Sequence, residues 1–529
     1  MELVRLIEAL SRASCYPFPV QKVEVRHTHI SIVFLAGPYA YKVKKPVDLG
    51  FLDFSNLEKR RHFCEEEVRL NRRLAPTVYL GVVPITSGAE GIKVEGRDEV
   101  IEWAVKMERL PEEATLQKRL QRGQIGIELV KALAGKVASF HREATRGEHI
   151  TEFGRFEVVA HNARENFTQA APLVGVTVSQ AVFESLRSLT EAELTRLRPV
   201  IESRAARGIP CDTHGDLHLD HVYLFPERTP PGDLVIIDCI EFNERFRFAD
   251  PVADMAFLVM DLVFHRRNDL ARDFAEEYFR LSGDDKGRAL LPFYVAYRAV
   301  VRGKVEGLEL SEQEIPVMAR TAVLAKARAH WLLALGELAA PSDRPCLVLV
   351  SGLPGTGKST LAQGLAERAG FYLIRSDVVR KELVGVSEAA RTLNRFGEGI
   401  YTAEWTERTY AKCLARAEGL LFEGGRVIVD ATFGQERNRR TFLDVAARLA
   451  VPAVLLVCQA DADVAQHRLA ARLGDASDAD WLVYQKLAKR WEEAGPLTAE
   501  RLWVVPAAGT PEETLERGLG RLRELSLLT

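Results

Sequence analysis

Residues 346–360, CLVLVSGLPGTGKST, run an apolar strand into a glycine-rich loop and then into a helix-compatible stretch. The spacing GxxxxGK[ST] after a strand is a phosphate cradle. Gly352, Leu353, Pro354, Gly355, Thr356 and Gly357 offer backbone N–H groups to nucleotide phosphates. Lys358 reaches the outer phosphates, Ser359 holds magnesium, and Thr360 completes the nucleotide-binding stretch. A turn that merely joined strand to helix would not need Gly-Lys-Ser-Thr. Asp430 closes the apolar run RVIVD, where an acid can complete the magnesium shell, the rival reading being a helix N-cap. Asp377, in IRSDVVRKEL, closes another such run and suits a general base accepting the proton of an attacking alcohol. Arg380, three residues on, shares a helical turn with it and can hold an anionic acceptor. A capping aspartate beside a solvated arginine is the plainer alternative. Arg468 and Arg472 lie four apart in DVAQHRLAARLGDASDAD, hence on one helix face ahead of a Gly- and Asp-rich segment. They suit lid cations that neutralise a transferring phosphoryl group, against the rival reading of a solvated helix surface.

A second constellation precedes this one. In THGDLHLDHV, 213–222, Asp216 takes the base position of the protein-kinase pattern H-R-D-x-x-x-x-N, but His221 stands where that pattern has a metal-binding asparagine. Asp238, after LVII, takes the position of the second metal-holding acid. Lys42 or Lys44 in YAYKVKKP and Glu67 or Glu66 in CEEEVRLNRRLAP complete the order lysine, glutamate, base, metal acid. Each has a bland reading as a surface charge or a His-rich turn, and it is the order of four that favours the chemistry. Imidazole suits softer metals than magnesium, manganese among them, so His221 alters metal preference or removes one site unless water or Asp220 substitutes.

The chain that must position these groups has 529 residues, too many for one core and enough for two or three domains. Its 47% hydrophobic and 27% charged residues are those of an ordinary globular protein. The seven cysteines form no CxxC pair, so neither a disulfide framework nor a cysteine zinc site is expected, and a reducing cytoplasm is the expected location. MELVRLIEAL has helical periodicity with charges and no signal-peptide core, and the apolar run MAFLVMDLVF is about half the length of a membrane span. No membrane partner is expected. A net charge of −3 gives no global pull on nucleic acid, and the cluster EKRRH reads as a solvated helix face. YVAYRAVVRGKVEGL is a helix whose arginines are expected to pack or face solvent. Oligomeric state is not encoded legibly. The break LAAPSDRPC sets the expected domains at 1–338 and 347–529, with 339–346 as linker. After it, FYLIRS, RVIVD, VPAVLLVC and RLWVV, spaced by helix-length segments, predict a parallel sheet covered on both faces.

The region from 345 resembles the small P-loop kinases that include polynucleotide 5′-kinase, zeta toxin and chloramphenicol phosphotransferase. GLPGTGKST, the D-x-x-R of Asp377 and Arg380, VDAT at 429–432 and the segment RLAARLGDASDAD carry the likeness. It implies a five-stranded parallel sheet and transfer of the ATP γ-phosphate to a hydroxyl. The region before it resembles the aminoglycoside phosphotransferase family, and more closely the kind fused to a P-loop kinase domain in bacterial proteins, through HGDLHL, DCIEFN and YKVKKPVDLGFLDF. That likeness implies a bilobal kinase fold with an adenine-contacting hinge near KMERLPE, 106–112, and a largely helical C-lobe. RHTHISIVF departs from it by replacing a Gly-rich phosphate loop, and His221 departs by replacing asparagine. The expected class is α/β joined to α+β. The expected function is an ATP- and Mg2+-dependent phosphotransferase acting on a small-molecule hydroxyl, with Mn2+ an option at the N-terminal site and that module catalytic or regulatory. A nucleic-acid end kinase and an ATPase switch without acceptor are the alternatives.

Overall fold

A computed structural model describes residues 3–50, 52–310, 317–387, 402–471 and 479–529. The chain packs as two compact units. One comprises 1–161, 196–263 and 267–294, and the other 162–195, 264–266 and 295–529.

After the helix Leu3–Leu10 the first unit forms a six-stranded antiparallel sheet, β1 (Val23–His27), β2 (Ser31–Ala36), β3 (Tyr39–Lys44), β4 (Tyr79–Gly88), β5 (Gly91–Val94) and β6 (Glu99–Glu108), ordered β1-β2-β3-β6-β4-β5. Ala36 pairs with Tyr39, so Gly37 and Pro38 alone turn the chain, and Gly37 takes the positive φ of 56° that such a hairpin needs. The hairpin that replaces a glycine-rich loop closes differently: the Thr28 hydroxyl accepts the Ser31 N–H at 2.9 Å. The helix Leu57–Asn71, capped by the Asn56 side chain on the Lys59 N–H, packs on β4 and β6. One face of the sheet closes over Ile32, Phe34, Tyr41 and Val43, and the other over Cys64, Val68 and Val105. Alternation along β3 therefore sends Lys42 and Lys44 to one side and Tyr41 and Val43 to the other.

Beyond the sheet the first unit is largely helical. It also has the short pairs β7 (Cys211–Asp212) with β10 (Phe248–Ala249) and β8 (Val222–Leu224) with β9 (Leu234–Ile236). The helix Pro251–Phe264, which holds MAFLVMDLVF, is buried along almost its whole length. Its Asp254 is fully buried and accepts His141 Nε2 at 3.0 Å, the His214 N–H at 3.0 Å and the Gly215 N–H at 2.8 Å. No described helix is long and apolar enough to cross a membrane.

The second unit carries a parallel sheet of β11 (Cys346–Ser351), β12 (Tyr372–Arg375), β13 (Arg426–Asp430), β14 (Ala453–Gln459) and β15 (Leu502–Pro506), ordered β12-β13-β11-β14-β15. All six β11 residues are buried, as a central strand covered on both faces requires. Val348, Val350, Ile428 and Leu456 pack with Leu361, Leu365 and Leu515 from the helices Lys358–Ala369 and Pro511–Glu524. The segment YVAYRAVVRGKVEGL lies in the helix Leu291–Glu309, whose residues from Val295 belong to the second unit; there Lys304 donates to Asn166 at 2.8 Å and Arg302 meets Glu306 at 3.5 Å. Its cations are used in packing. Leu456→Ala, emptying a fully buried position, is expected to destabilise the protein by about 2–5 kcal/mol in urea unfolding. Leu80→Ala, at a side chain 45% exposed, should stay within about 0.5 kcal/mol.

Candidate active site

The order β12-β13-β11-β14-β15 places the first strand reversal beside β11, and ligands of open α/β sheets lie beyond the carboxyl ends of strands at such points. The loop after β11 bends through Gly352, Gly355 and Gly357, with φ of 148°, 80° and 90°. A Cβ at Gly355 would stand 2.7 Å from the Ala465 carbonyl oxygen. The loop feeds the helix Lys358–Ala369, whose start has no side-chain cap, so its N–H groups remain available to an anion. Lys358 is buried at that start. Asp430, paired in register with Val350, closes β13, and the following helix is capped at Gln435, which removes the N-cap reading. Burial pushes the Asp430 carboxyl up, opposed by Lys358 and a hydrogen bond from Ser359. Asp430 Oδ1 is buried without a hydrogen-bond partner among the described residues. An oxygen-ligated dication held by Ser359 and Asp430 fits that orphaned atom.

Asp377 sits in the first turn of the helix Ser376–Leu383, whose N-cap is Arg375, so the aspartate is not the cap. Arg380 is buried rather than solvated, and its Nη1 lies 3.3 Å from Thr406 Oγ1. Both act electrostatically on Tyr410, whose hydroxyl accepts the Phe433 N–H at 3.0 Å and is pushed up to about 12, chiefly by burial. Arg375, which the sequence reading passed over, approaches Asp430 Oδ2 at 3.6 Å. A basic residue at a strand's carboxyl end was its only signal. Arg468 lies on the helix Ala462–Ala470 and donates to the carbonyls of Ala507 and Gly509 at 2.8 and 3.1 Å. With Gly357, Lys358, Thr360 and Pro511 it lines a cleft of about 310 Å³. Arg472 lies outside the described residues.

In the first unit β3 and the helix Leu57–Asn71 converge on Glu67, which has no exposed surface. Lys42 reaches Glu67 Oε1 at 2.9 Å and Asp238 Oδ1 at 2.6 Å, and Lys44 reaches Glu67 Oε2 at 2.8 Å. Both lysines thus meet one acid, while Glu66 pairs outward with Arg69. Lys44 also binds Glu241, the acid inside DCIEFN that the sequence reading quoted but did not single out. Burial opposes the charge on Lys42, yet Asp238, Glu67 and Glu241 outweigh it and hold the ammonium well above its usual range. Asp238 takes a φ of 66°, rare for a side-chain-bearing residue and a sign of local strain. Its N–H donates to the Tyr79 hydroxyl at 3.2 Å. His221 Nε2 stands 3.6 Å from Asp238 Oδ2, and His221 Nδ1 stands 3.7 Å from Asp216 Oδ2. Lys42, Glu67, Asp216, His221 and Asp238 therefore form one connected group.

The positive φ of Gly355 and the Ala465 carbonyl beside it have a direct consequence for the P-loop. Gly355→Ala is expected to weaken nucleotide binding there roughly 10–100-fold, since such backbone strain costs about 1–3 kcal/mol. Gly419→Ala, in a helix interior with nothing within 4 Å of the new methyl, should leave it unchanged in calorimetric titration.

Residues 51–291 match the phosphotransferase enzyme family, and residues 347–493 match the AAA domain. An uncharacterised protein of Mycobacterium bovis and two from strains of Mycobacterium tuberculosis are each 34% identical over 468 residues, covering 88% of this chain and 90% of theirs. Among solved structures, amicoumacin kinase bound to AMP-PNP, Ca2+ and Ami overlaps 62% of this chain and 93% of its own at 12% identity, TM-score 0.38. A gluconokinase from Sinorhizobium meliloti 1021 overlaps 34% and 94% at 19% identity, TM-score 0.26. With a kinase-like charge network before residue 291 and a phosphate-binding loop after residue 347, this chain carries a phosphotransferase-family domain ahead of a P-loop kinase-like domain, and it belongs to the family of these mycobacterial proteins.

Proposed function

We propose that the second unit transfers the γ-phosphate of ATP to the hydroxyl of a small molecule. The observation that carries this reading is the grouping at the carboxyl ends of β11, β12 and β13. Lys358, Ser359 and an incompletely satisfied Asp430 serve phosphate and metal, while Asp377 and Arg380 stand beside them on the next strand's helix. In that arrangement Lys358 stabilises charge on the outer phosphates, and Mg2+ is held at Ser359 and Asp430. Asp377 takes the proton of the attacking hydroxyl, and Arg380 holds an anionic part of the acceptor. Arg468 and Arg472 approach the transferring group as lid cations. The burial of Arg380 favours a compact anionic acceptor over the long polyanion of a nucleic-acid end.

The first unit holds a second nucleotide, with Lys42, oriented by Glu67, directed to its phosphates and Asp238 to its metal. Asp216 then occupies the place of a base.

Incubation with γ-labelled ATP and fractionated metabolites tests the reading. Label is expected in an anionic, hydroxyl-bearing small molecule. Asp377→Asn should lower kcat about 10²–10⁴-fold with little change in the KM for ATP. Arg380→Ala should raise the acceptor KM instead. Label confined to nucleic-acid ends, or ATP hydrolysis with no labelled acceptor, defeats the proposal.

A further inference from the structure

The loop 213–222 holds more ligand atoms than phosphate transfer uses. One ligand atom from each of Asp216, His218 and His221 lies within 4.8 Å of the other two. Asp216 Oδ2 is the shared vertex, 3.5 Å from His218 Nε2 and 3.7 Å from His221 Nδ1. A tetrahedral shell with bonds of about 2.0–2.2 Å sets its ligand atoms roughly 3.3–3.6 Å apart. The two edges through Asp216 Oδ2 are close to that spacing, and His221 Nδ1 must turn from the Asp216 carbonyl to complete it. We propose that Asp216 Oδ2, His218 Nε2 and His221 Nδ1 bind a borderline divalent transition metal of the zinc class, with solvent in the remaining position.

The surroundings are those of a built metal site. The loop is pinned by Asp254 on the His214 and Gly215 amides and by Asp261 on the Leu219 N–H at 2.8 Å, so the backbone that carries the ligands is held before any cation arrives. The third histidine is committed elsewhere: His214 Nε2 meets the Ile237 carbonyl at 2.9 Å and Nδ1 accepts the Asp216 N–H at 3.3 Å. His221 Nδ1 stands 2.9 Å from the Asp216 carbonyl. There Nδ1 donates to the carbonyl, so coordination requires the ring proton to move to Nε2, where Asp238 Oδ2 faces it at 3.6 Å, and the Nδ1 hydrogen bond to be given up. A carboxylate behind a ligating imidazole is the common outer partner of such sites. The Asp216 carbonyl keeps a donor throughout, since the His218 N–H reaches it at 3.1 Å. Two imidazoles in the set favour zinc-class cations over magnesium, which prefers oxygen.

The inference goes beyond the phosphotransfer reading and does not depend on the acceptor. Its consequence for the first unit is that a bound transition metal withholds Asp216 from service as a base.

The test is titration of the full-length wild-type protein, free of nucleotide, with Co2+ and with Zn2+ against a chromophoric chelator. Expected are one ion per chain, a visible Co2+ absorption of low coordination number, and no displacement by millimolar Mg2+. X-ray absorption of the zinc-loaded protein should count two imidazoles with oxygen and no sulfur. His218→Gln and His221→Asn should each weaken Zn2+ binding more than about 100-fold, and Asp238→Asn about 10–100-fold as an outer partner. No bound ion, sulfur in the shell, or affinity unaltered in folded histidine variants overturns the proposal. The absorption measurement uses the wild-type protein and decides the matter even if a variant fails to fold.

Discussion

A carboxylate with no exposed surface must be neutralised where it sits, and Glu67 meets that constraint by drawing two lysines of β3 to its two oxygens. The arrangement dictates much around it. β3 must present Lys42 and Lys44 on one face, the helix Leu57–Asn71 must lie against that face, and Asp238 and Glu241 must close the remaining sides. Removing one member would leave another charge buried and uncompensated, a larger penalty than the pair's own attraction. A network of this kind fixes where each ammonium points, which is what recognition of phosphate and metal requires.

The P-loop unit handles anions by a different device. There the positive field comes mainly from backbone N–H groups at an uncapped helix start, supplemented by Lys358, and glycines keep the backbone open to the phosphates. Asp430 is the mirror case of Glu67. It too is buried and near a lysine, and each acid has one oxygen without a hydrogen-bond partner among the described residues. That oxygen of Glu67, however, has the Lys42 ammonium at 2.9 Å, whereas Arg375 stands 3.6 Å from the other oxygen of Asp430. One unit satisfies its buried acid with protein cations, and the other leaves capacity for a cation from solution.

The loop 213–222 stands between these strategies. Asp254 and Asp261 hold its backbone from outside the loop, and the His221 ring meets the Asp216 carbonyl within it. Histidine in place of asparagine at 221 is thus accommodated by the fold while it changes the chemistry the loop can offer.

Much of this was legible in the order of residues. Five apolar runs with helix-length spacers specify a buried parallel sheet, because only strands covered on both faces are apolar throughout. The glycines of residues 352–357 identify their loop because few other residues adopt such φ values. The order Lys42, Glu67, Asp216, Asp238 was likewise readable along the chain. Local pattern could not choose between Lys42 and Lys44 or between Glu66 and Glu67. Neighbours on a strand face or a helix differ only in what lies opposite, and that is set by chain segments up to 197 residues away, as for Lys44 and Glu241. Glu241 and Arg375 escaped notice for the same reason. Sequence determined which elements form and which chemistry they carry; tertiary structure alone decided which charges meet, because a buried ion pair is fixed by packing across distant segments and leaves no local periodic trace.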